Sequence, residues 1–193
     1  WVLANMLRKD HMHFPVLRPN SDEAAELKLL TRDYHKLVHQ KTRSINQLRA
    51  TLKEYYPRPT EVFSELARPA CLDFLQEYPT PGALKKLTWT RWQKFGKAHR
   101  IRPDQIQKAW EALKAPMLSV PVHVVRSKSM LVLVLVEQLR VLTKATGDYK
   151  GQIEGFFSFL PVAELARSLP GGNSGVTIPT VFAEIGDAPG RWE

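Results

Sequence analysis

The stretch at residues 20–57, NSDEAAELKLLTRDYHKLVHQKTRSINQLRATLKEYYP, decides the fold class of this 193-residue chain. Asn20 with Glu23 forms a capping-box-like start, and no glycine or proline interrupts the stretch before Pro57. It therefore predicts one helix of about 35 residues, or roughly 50 Å. Its apolar residues recur three or four positions apart, with Lys41 filling one slot, as in a coiled-coil seam with a stutter. They are Leu27, Leu30, Tyr34, Val38, Ile45, Leu48, Leu52 and Tyr55. So narrow an apolar stripe needs a partner helix.

Residues 118–160 are predicted to form that partner, within the same chain or in a second copy. The valine-rich stretch VPVHVVRSKSMLVLVLVEQL at 120–139 is also typical of strands. The continuation favours a helix, because Leu135, Leu142, Tyr149 and Phe156 lie seven residues apart. Gly147 lies within this helix and weakens it by roughly 1 kcal/mol relative to alanine.

Residues 57–117 read as a small basic subdomain of short helices separated by prolines, with Pro103 in the first turn of one of them. Nine Lys and Arg lie between Lys85 and Lys114, against two acids. Four aromatic side chains lie among them: Trp89, Trp92, Phe95 and Trp110. The rings could stack on bases or form the core of the subdomain. The core interpretation is preferred for the rings, and the charges are kept as candidate phosphate contacts.

The net charge of +9 is unevenly distributed along the chain. Residues 1–115 carry 21 Lys and Arg against 12 Asp and Glu, whereas residues 116–193 carry 7 of each. A localised positive charge favours a polyanionic partner, with nucleic acid ahead of an anionic membrane. The longest apolar run, Met130–Val136, is too short to span a bilayer. The single cysteine, Cys71, is expected to be a small buried apolar residue.

Near the end of the chain, SLPGGNSGVTIPTVFAEIGD at 168–187 joins a glycine-rich turn to an apolar helix. Such a turn can present backbone N–H groups to a phosphate, with glycines permitting close approach and positive φ. Gly171, Gly172 and Gly175 are the candidates for this contact. The alternative is a structural corner that packs Val181, Phe182 and Ile185 into a core.

Three segments in this order resemble the Piv-type DNA invertases and related insertion-sequence transposases, which are bridge-RNA-guided recombinases. They are LRPNSDEAAELKLLTRDYHKLV at 17–38 followed by KTRSINQLRATLKEYYP at 41–57, FLQEYPTPGAL at 74–84, and SLPGG…FAEIGD at 168–187. The resemblance implies a RuvC-like nuclease domain with acidic ligands for Mg²⁺, a coiled coil, and a transposase domain with a serine nucleophile. No residue of this chain matches either the acidic ligands or that serine, so no catalytic residue is assigned. The chain therefore resembles an internal fragment, and whether it is itself an enzyme stays open.

The resemblance also implies a division of the chain. Residues 1–19 correspond to the end of the RuvC-like domain and a connector, and 161–193 to the start of the transposase domain with a helix-hairpin-helix-like segment. Between them lie the first coiled-coil helix at 20–56, the basic subdomain at 57–117 and the second long helix at 118–160. The fold class is therefore expected to be mostly α.

The expected function is dimerisation together with binding of DNA and a structured guide RNA, in a cytoplasmic, nucleoid-associated bacterial protein with no membrane partner. The candidate phosphate-binding residues are Arg43, Arg49, Lys53, Lys94, Lys97, Arg100 and Arg102. One alternative is a non-catalytic nucleic-acid-binding or assembly protein derived from a decayed transposase. Another is a structural coiled coil whose basic residues only keep it in solution.

Overall fold

The computed structural model describes residues 1–13, 20–160, 163–168 and 175–187. These residues are mainly helical and contain no strand, which confirms the predicted mostly α fold class. The helices are α1 (Val2–Asp10), α2 (Asp22–Tyr55), α3 (Arg58–Val62), α4 (Pro69–Glu77), α5 (Pro81–Leu84), α6 (Trp89–Ala98), α7 (Pro103–Lys114), α8 (Val122–Ser158), α9 (Ala163–Ser168) and α10 (Thr177–Ile185). A short 3₁₀ turn, His11–His13, follows α1.

Two helices are much longer than the others, α2 with 34 residues and α8 with 37. The valine-rich part of α8 is helical, and its buried residues Val132, Leu135, Val136 and Leu139 follow a three-and-four spacing. The helix starts at Val122 and not near residue 118, because Pro121 disfavours helical backbone in the residue before it. It continues without a break through its glycines to Ser158.

The start of α2 also differs from expectation. Ser21 is the capping residue, and its Oγ accepts a hydrogen bond from the Ala24 backbone N–H at 3.1 Å. Asn20 lies one residue too early to make this bond, because a cap accepts from the residue two or three positions ahead. Asp22 and Glu23 occupy the first turn, where their negative charge favours the helix dipole.

The chain divides into two compact units, and both long helices contribute to each unit. Residues 35–148 form one of them, which we call the basic unit. Residues 1–34 together with 149–193 form the other, which we call the terminal unit.

The core of the basic unit joins its part of α2 to its part of α8. Leu48 and Leu52 of α2 share one fully buried cluster with Leu135 and Leu139 of α8. The short helices complete this cluster with large side chains. These include Leu66, Leu72, Phe74, Leu75, Leu84, Leu87, Trp92, Ile106 and Leu113. The apolar positions of α2 and α8 thus find partners inside a single chain.

The terminal unit has a smaller core, built from Leu27 of α2, Ile153 and Phe157 of α8, Ala163 of α9 and Ala183 of α10. α10 is tied to α2 by polar contacts as well. Both Lys28 and Arg32 bind the Glu184 carboxylate, and the Ser21 backbone N–H donates to Asp187 at 3.0 Å. α1 belongs to this unit and has no buried residue, so its apolar side chains face solvent.

Gly96 sets how closely α6 and α7 approach in the basic unit. A Cβ at this position would lie 2.5 Å from Cδ1 and 2.8 Å from Cγ1 of Ile106, distances that no real packing allows. Trp92, one turn earlier, is fully buried and donates its indole N–H to the Ile106 carbonyl at 2.9 Å. The missing side chain of Gly96 therefore lets α7 lie close enough for this hydrogen bond.

We expect Gly96→Ala to destabilise the basic unit by about 1–3 kcal/mol, because the added methyl group overpacks the contact with Ile106. The matched control is Gly147→Ala on α8, where the added methyl group would meet no atom within 4 Å and alanine should stabilise the helix by about 1 kcal/mol. Urea denaturation followed by circular dichroism measures both changes. A Gly96→Ala protein as stable as the wild type would contradict the close approach.

Candidate nucleic-acid interface

Net charge is divided sharply between the two units. The basic unit carries 20 Lys and Arg against 9 Asp and Glu, a net charge of +11. The terminal unit carries 8 against 10, a net charge of −2. The excess positive charge therefore lies in the basic unit, which includes α8 as far as Asp148. It is not spread over the first part of the sequence as a whole.

The three predicted cations of α2 lie on its solvent-exposed face. Arg43, Arg49 and Lys53 are all exposed, whereas Leu48 and Leu52 on the opposite side are buried. The helix repeats every 3.6 residues, so positions 43, 49 and 53 fall within one third of its circumference. This side of α2 therefore presents three positive charges to solvent along about 15 Å of helix.

The other four predicted cations lie along one continuous segment formed by α6, its following turn and the start of α7. Lys94 and Lys97 occupy the exposed face of α6, opposite the buried Trp92. Arg100 lies in the turn and Arg102 directly before α7, and both are exposed. The structure thus brings these four together and places the α2 group on a separate helix of the same unit.

None of these seven cations forms an ion pair with a residue that the structure describes. Most carboxylates of the basic unit are instead held by other bases. Asp73 and Glu137 bind Arg140, Glu54 binds Lys128 at 2.5 Å, and Glu61 and Glu65 bind Arg58 and Arg68. The acids are largely compensated, so the exposed positive charge of α2, α6 and α7 is available to an external anion.

Arg100 has an unusual backbone conformation for its residue type. Its φ is +53°, the left-handed region in which glycine or asparagine is preferred at the end of a helix. Two hydrogen bonds close this helix end, from the Ile101 N–H to the Gly96 carbonyl at 2.9 Å and from the Arg100 N–H to the Lys97 carbonyl at 3.2 Å. This is the Schellman arrangement with arginine in the glycine position.

The aromatic rings of the subdomain belong to its core, as the preferred interpretation predicts. Trp92 is fully buried, and Phe95 stacks on it with a centroid distance of 5.4 Å. Trp89 and Trp110 meet edge to face at 5.5 Å, and the Lys114 ammonium lies 4.6 Å from the Trp110 ring centroid. Cys71 is likewise buried, and this burial raises the pKa of its thiol to about 12.

The glycine-rich turn is only partly covered by the described residues. Gly171 and Gly172, with Pro170, lie outside them, and α9 and α10 stand on either side. Gly175 is described and does not have a positive φ; among the described glycines only Gly186 does. A Cβ at Gly175 would instead overlap the carboxylate of Glu154. An added side chain at position 175 would therefore displace the flexible Glu154 carboxylate, and left-handed backbone does not explain the glycine.

Within α10 the packed residues differ from those expected. Pro179 and Ala183 are buried, whereas Val181 and Ile185 are 48% and 43% exposed. Phe182 is partly buried and meets Phe157 edge to face. Pro179 is compatible with the helix because α10 starts at Thr177 and the first turn has no intrahelical partner for its N–H groups.

Sequence reasoning missed a polar cluster that links three helices of the basic unit. Asp73 of α4 accepts from Arg140 of α8 at 2.5 Å, and its other oxygen lies 3.4 Å from Nε2 of His99 at the end of α6. The three residues are far apart in the sequence, and no motif connects them. Only the packing of α4, α6 and α8 brings them together.

Within the described residues no three His, Cys, Asp or Glu side chains converge in a way that could hold a metal ion. In the same residues no helix combines the length and the apolar character needed to cross a membrane.

Comparison with known proteins finds similarity to transposases. Residues 1–57 match the family model DEDD_Tnp_IS110, described as a transposase. The chain is 29% identical over 199 residues to "Mini-circle putative transposase for IS117" of Streptomyces coelicolor, a match that covers 99% of this chain and 48% of that protein. It is 29% identical over 196 residues to "Insertion element IS116 uncharacterized 44.8 kDa protein" of Streptomyces clavuligerus, covering 98% of this chain and 47% of that protein.

A third relative, "Putative transposase y4uE" of Sinorhizobium fredii, is 30% identical over 101 residues, covering 52% of this chain and 28% of that protein. The chain thus spans about half the length of the first two relatives. No solved structure matches it. The expected similarity to insertion-sequence transposases is confirmed at this level.

The contact between α10 and α2 makes a prediction about pH. Arg32 donates two hydrogen bonds to Glu184, at 2.8 and 3.0 Å, and Lys28 lies 3.1 Å from the same carboxylate. These hydrogen bonds lower the pKa of Glu184 to about 2. Its ionised form favours the folded state above its usual pKa of 4.5, and this contribution is lost as pH falls towards 2.

We expect Arg32→Gln to raise the pKa of Glu184 towards 4.5, because the strongest partner of the carboxylate is removed. The ¹³C chemical shift of the Glu184 carboxyl carbon, followed from pH 7 downwards, measures this change. Lys9→Gln removes one exposed positive charge from α1 of the same unit and should leave the titration unchanged. An unchanged pKa of Glu184 in Arg32→Gln would show that Arg32 does not bind this carboxylate in solution.

Proposed function

We propose that this chain is the helical nucleic-acid-binding part of an insertion-sequence transposase. The observation that carries the proposal is the division of charge between the two compact units, +11 against −2, with the seven predicted cations of the basic unit forming no ion pair to described residues. A charge of this size on one unit attracts a polyanion and steers its approach. The similarity to transposases makes DNA the first candidate.

The proposed contacts are with phosphates and are independent of base sequence. Arg43, Arg49 and Lys53 of α2 bind one stretch of backbone, and Lys94, Lys97, Arg100 and Arg102 bind a second. Seven such contacts should make binding strongly dependent on salt, with a loss of roughly 10³–10⁵ in affinity between 50 and 200 mM. Gly171, Gly172 and Gly175 are kept as a further candidate contact through backbone N–H groups.

We infer the wider activity from the resemblance to Piv-type invertases. The whole transposase would cut and rejoin DNA through a serine ester, guided by a structured RNA, in the nucleoid of a bacterial cell. Mg²⁺ would supply charge neutralisation at the phosphate that reacts. No residue of this chain matches the acidic ligands or the serine that the resemblance implies, so no catalytic step is assigned to this chain.

We expect Lys94→Gln with Lys97→Gln to lower the affinity for duplex DNA and for structured RNA alike. Each phosphate contact removed should reduce the slope of log affinity against log salt by about 1. The matched control is Lys9→Gln with Lys150→Gln, which removes two exposed charges from the terminal unit. Fluorescence anisotropy at four salt concentrations measures the slope.

Three results would decide between the candidate functions. A slope reduced by about 2 in the first double variant and unchanged in the control supports the proposed contacts. Equal reductions in both variants would show that net charge matters and the position of the lysines does not. If the wild type does not bind nucleic acid, or binds it independently of salt, the basic residues serve only to keep the protein soluble.

We also propose that two copies associate through α8. The seam residues Leu135 and Leu139 are already buried inside one chain, so a second copy must use another face of this helix. Met130, Val134 and Val141 are 66%, 64% and 67% exposed and lie four and seven residues apart. These apolar side chains lie on one side of the helix, interrupted by Glu137, and could pack against a partner helix.

We expect Val134→Asp with Val141→Asp to weaken self-association about tenfold or more, since burial of even one valine contributes about 1.5 kcal/mol. Leu29→Asp on α2, also 66% exposed, is the control and should leave it unchanged. Sedimentation equilibrium over a hundredfold range of concentration measures the association constant. A wild-type protein that stays monomeric throughout would contradict the proposed dimer.

A further inference from the structure

A small pocket lies beside the cations of α6 and α7, wholly within the basic unit. It is an open pocket with a volume of about 210 Å³, lined by the connection between α3 and α4, the turn after α6, and one side of α7. No sequence pattern indicates it, because its walls come from residues 62–109 and are spread over three helices and the connections between them. None of the contacts proposed above uses it, apart from Arg100 at its edge.

The walls of the pocket combine an aromatic ring, apolar groups and a side-chain amide. The Phe63 ring and the Ala109 side chain supply apolar surface, and both are packed against the core behind them. Gln105 of α7 is exposed at the wall and can both donate and accept hydrogen bonds through its amide. An aromatic face beside an amide is the combination that holds and reads a nucleic-acid base.

Two guanidinium groups lie at the rim, and their surroundings differ. Arg68 makes hydrogen bonds of 2.9 and 2.7 Å to Glu65, which offsets much of its charge. Arg100 forms no ion pair with any residue in the described part of the chain. Arg100 is therefore the rim group with uncompensated charge for an anion.

The backbone of Arg100 supports a binding role for its side chain. A left-handed φ is unfavourable for arginine, and glycine would satisfy the same helix end without strain. Strained backbone is commonly kept where it positions a functional group. Here the strained residue lies where the pocket meets the exposed segment that carries Lys97 and Arg102.

We propose that this pocket binds the base of one unpaired nucleotide, with Arg100 on the adjoining phosphate. The volume suits a single base and is too small for two stacked ones. Lys97 and Arg102 flank Arg100 along the chain, so the phosphates on either side of the nucleotide also meet positive charge. A continuous strand therefore fits this surface better than an isolated small anion does. The inference rests on the proposed nucleic-acid binding and adds selectivity for an unpaired base.

The test compares three duplexes that differ at one position: fully paired, with one unpaired adenosine, and with an abasic unpaired residue. Each is made as RNA and as DNA, and affinities are measured by fluorescence anisotropy with the full chain. We expect the unpaired adenosine to bind roughly 5- to 100-fold tighter than the other two, the change that stacking of one base produces. A preference in RNA alone, or in both, identifies the source of the nucleotide.

Two variants connect that preference to the pocket. Gln105→Leu should remove it while leaving the affinity for the paired duplex unchanged, and the control Gln107→Leu should retain it. Gln107 lies on the same helix but bonds to Glu111 at 2.8 Å and does not line the pocket. Arg100→Gly should weaken binding of all three duplexes and reduce the preference, although it relieves the backbone strain and raises the unfolding midpoint.

A second readout follows the base itself. With 2-aminopurine as the unpaired residue, entry into the pocket should quench its fluorescence by contact with the Phe63 ring, and Gln105→Leu should restore it. Equal affinity of the wild type for all three duplexes would overturn the pocket and leave the proposed nucleic-acid binding intact. A preference for the unpaired adenosine that persists in Gln105→Leu would also contradict base binding in this pocket. Salt-independent or absent binding to every duplex would overturn the proposed function.

Discussion

The whole structure depends on the need of two long helices to cover their apolar sides. α2 and α8, with 34 and 37 residues, carry apolar stripes that neither helix can bury alone. In the basic unit Leu48 and Leu52 of the first helix share one buried cluster with Leu135 and Leu139 of the second. In the terminal unit Leu27 and Ile153 share a second core. Each core buries one part of both stripes, and the short helices are added around this arrangement.

The short helices of the basic unit have two separate roles. Their inner faces add the large side chains of the core, with Trp92 bonded to the Ile106 carbonyl and Gly96 allowing α7 to lie close. Their outer faces carry Lys94 and Lys97, and the turn after α6 carries Arg100. Because the aromatic rings of α6 pack into the core, cations occupy its exposed side. The same ten residues of α6 therefore stabilise the unit on one side and attract an anion on the other. Bases that hold the fold, such as Arg140 on Asp73, are paired, so a polyanion can bind without displacing them.

Much of the fold could be predicted because helices are local. The long α2 follows from 34 residues without glycine or proline, and Pro103 marks the first turn of α7. Composition and spacing assign Trp92 to the core, and the structure agrees. The errors concern the exact start of a helix and the packed side of a short helix. Ser21 and not Asn20 caps α2, and Val181 and Ile185 of α10 face solvent because Pro179 and Ala183 take the packed positions.

The sequence by itself determined the helical class, the positions of the long helices, the excess of positive charge and the exposed cations, since each depends on residues close together in the chain. Only the tertiary structure decided which contacts those residues make. The assignment of +11 to one unit, the cluster of Asp73 with His99 and Arg140, and the pocket beside Arg100 all join segments tens of residues apart. No local pattern encodes such contacts, because they arise from the way helices pack to bury their apolar sides.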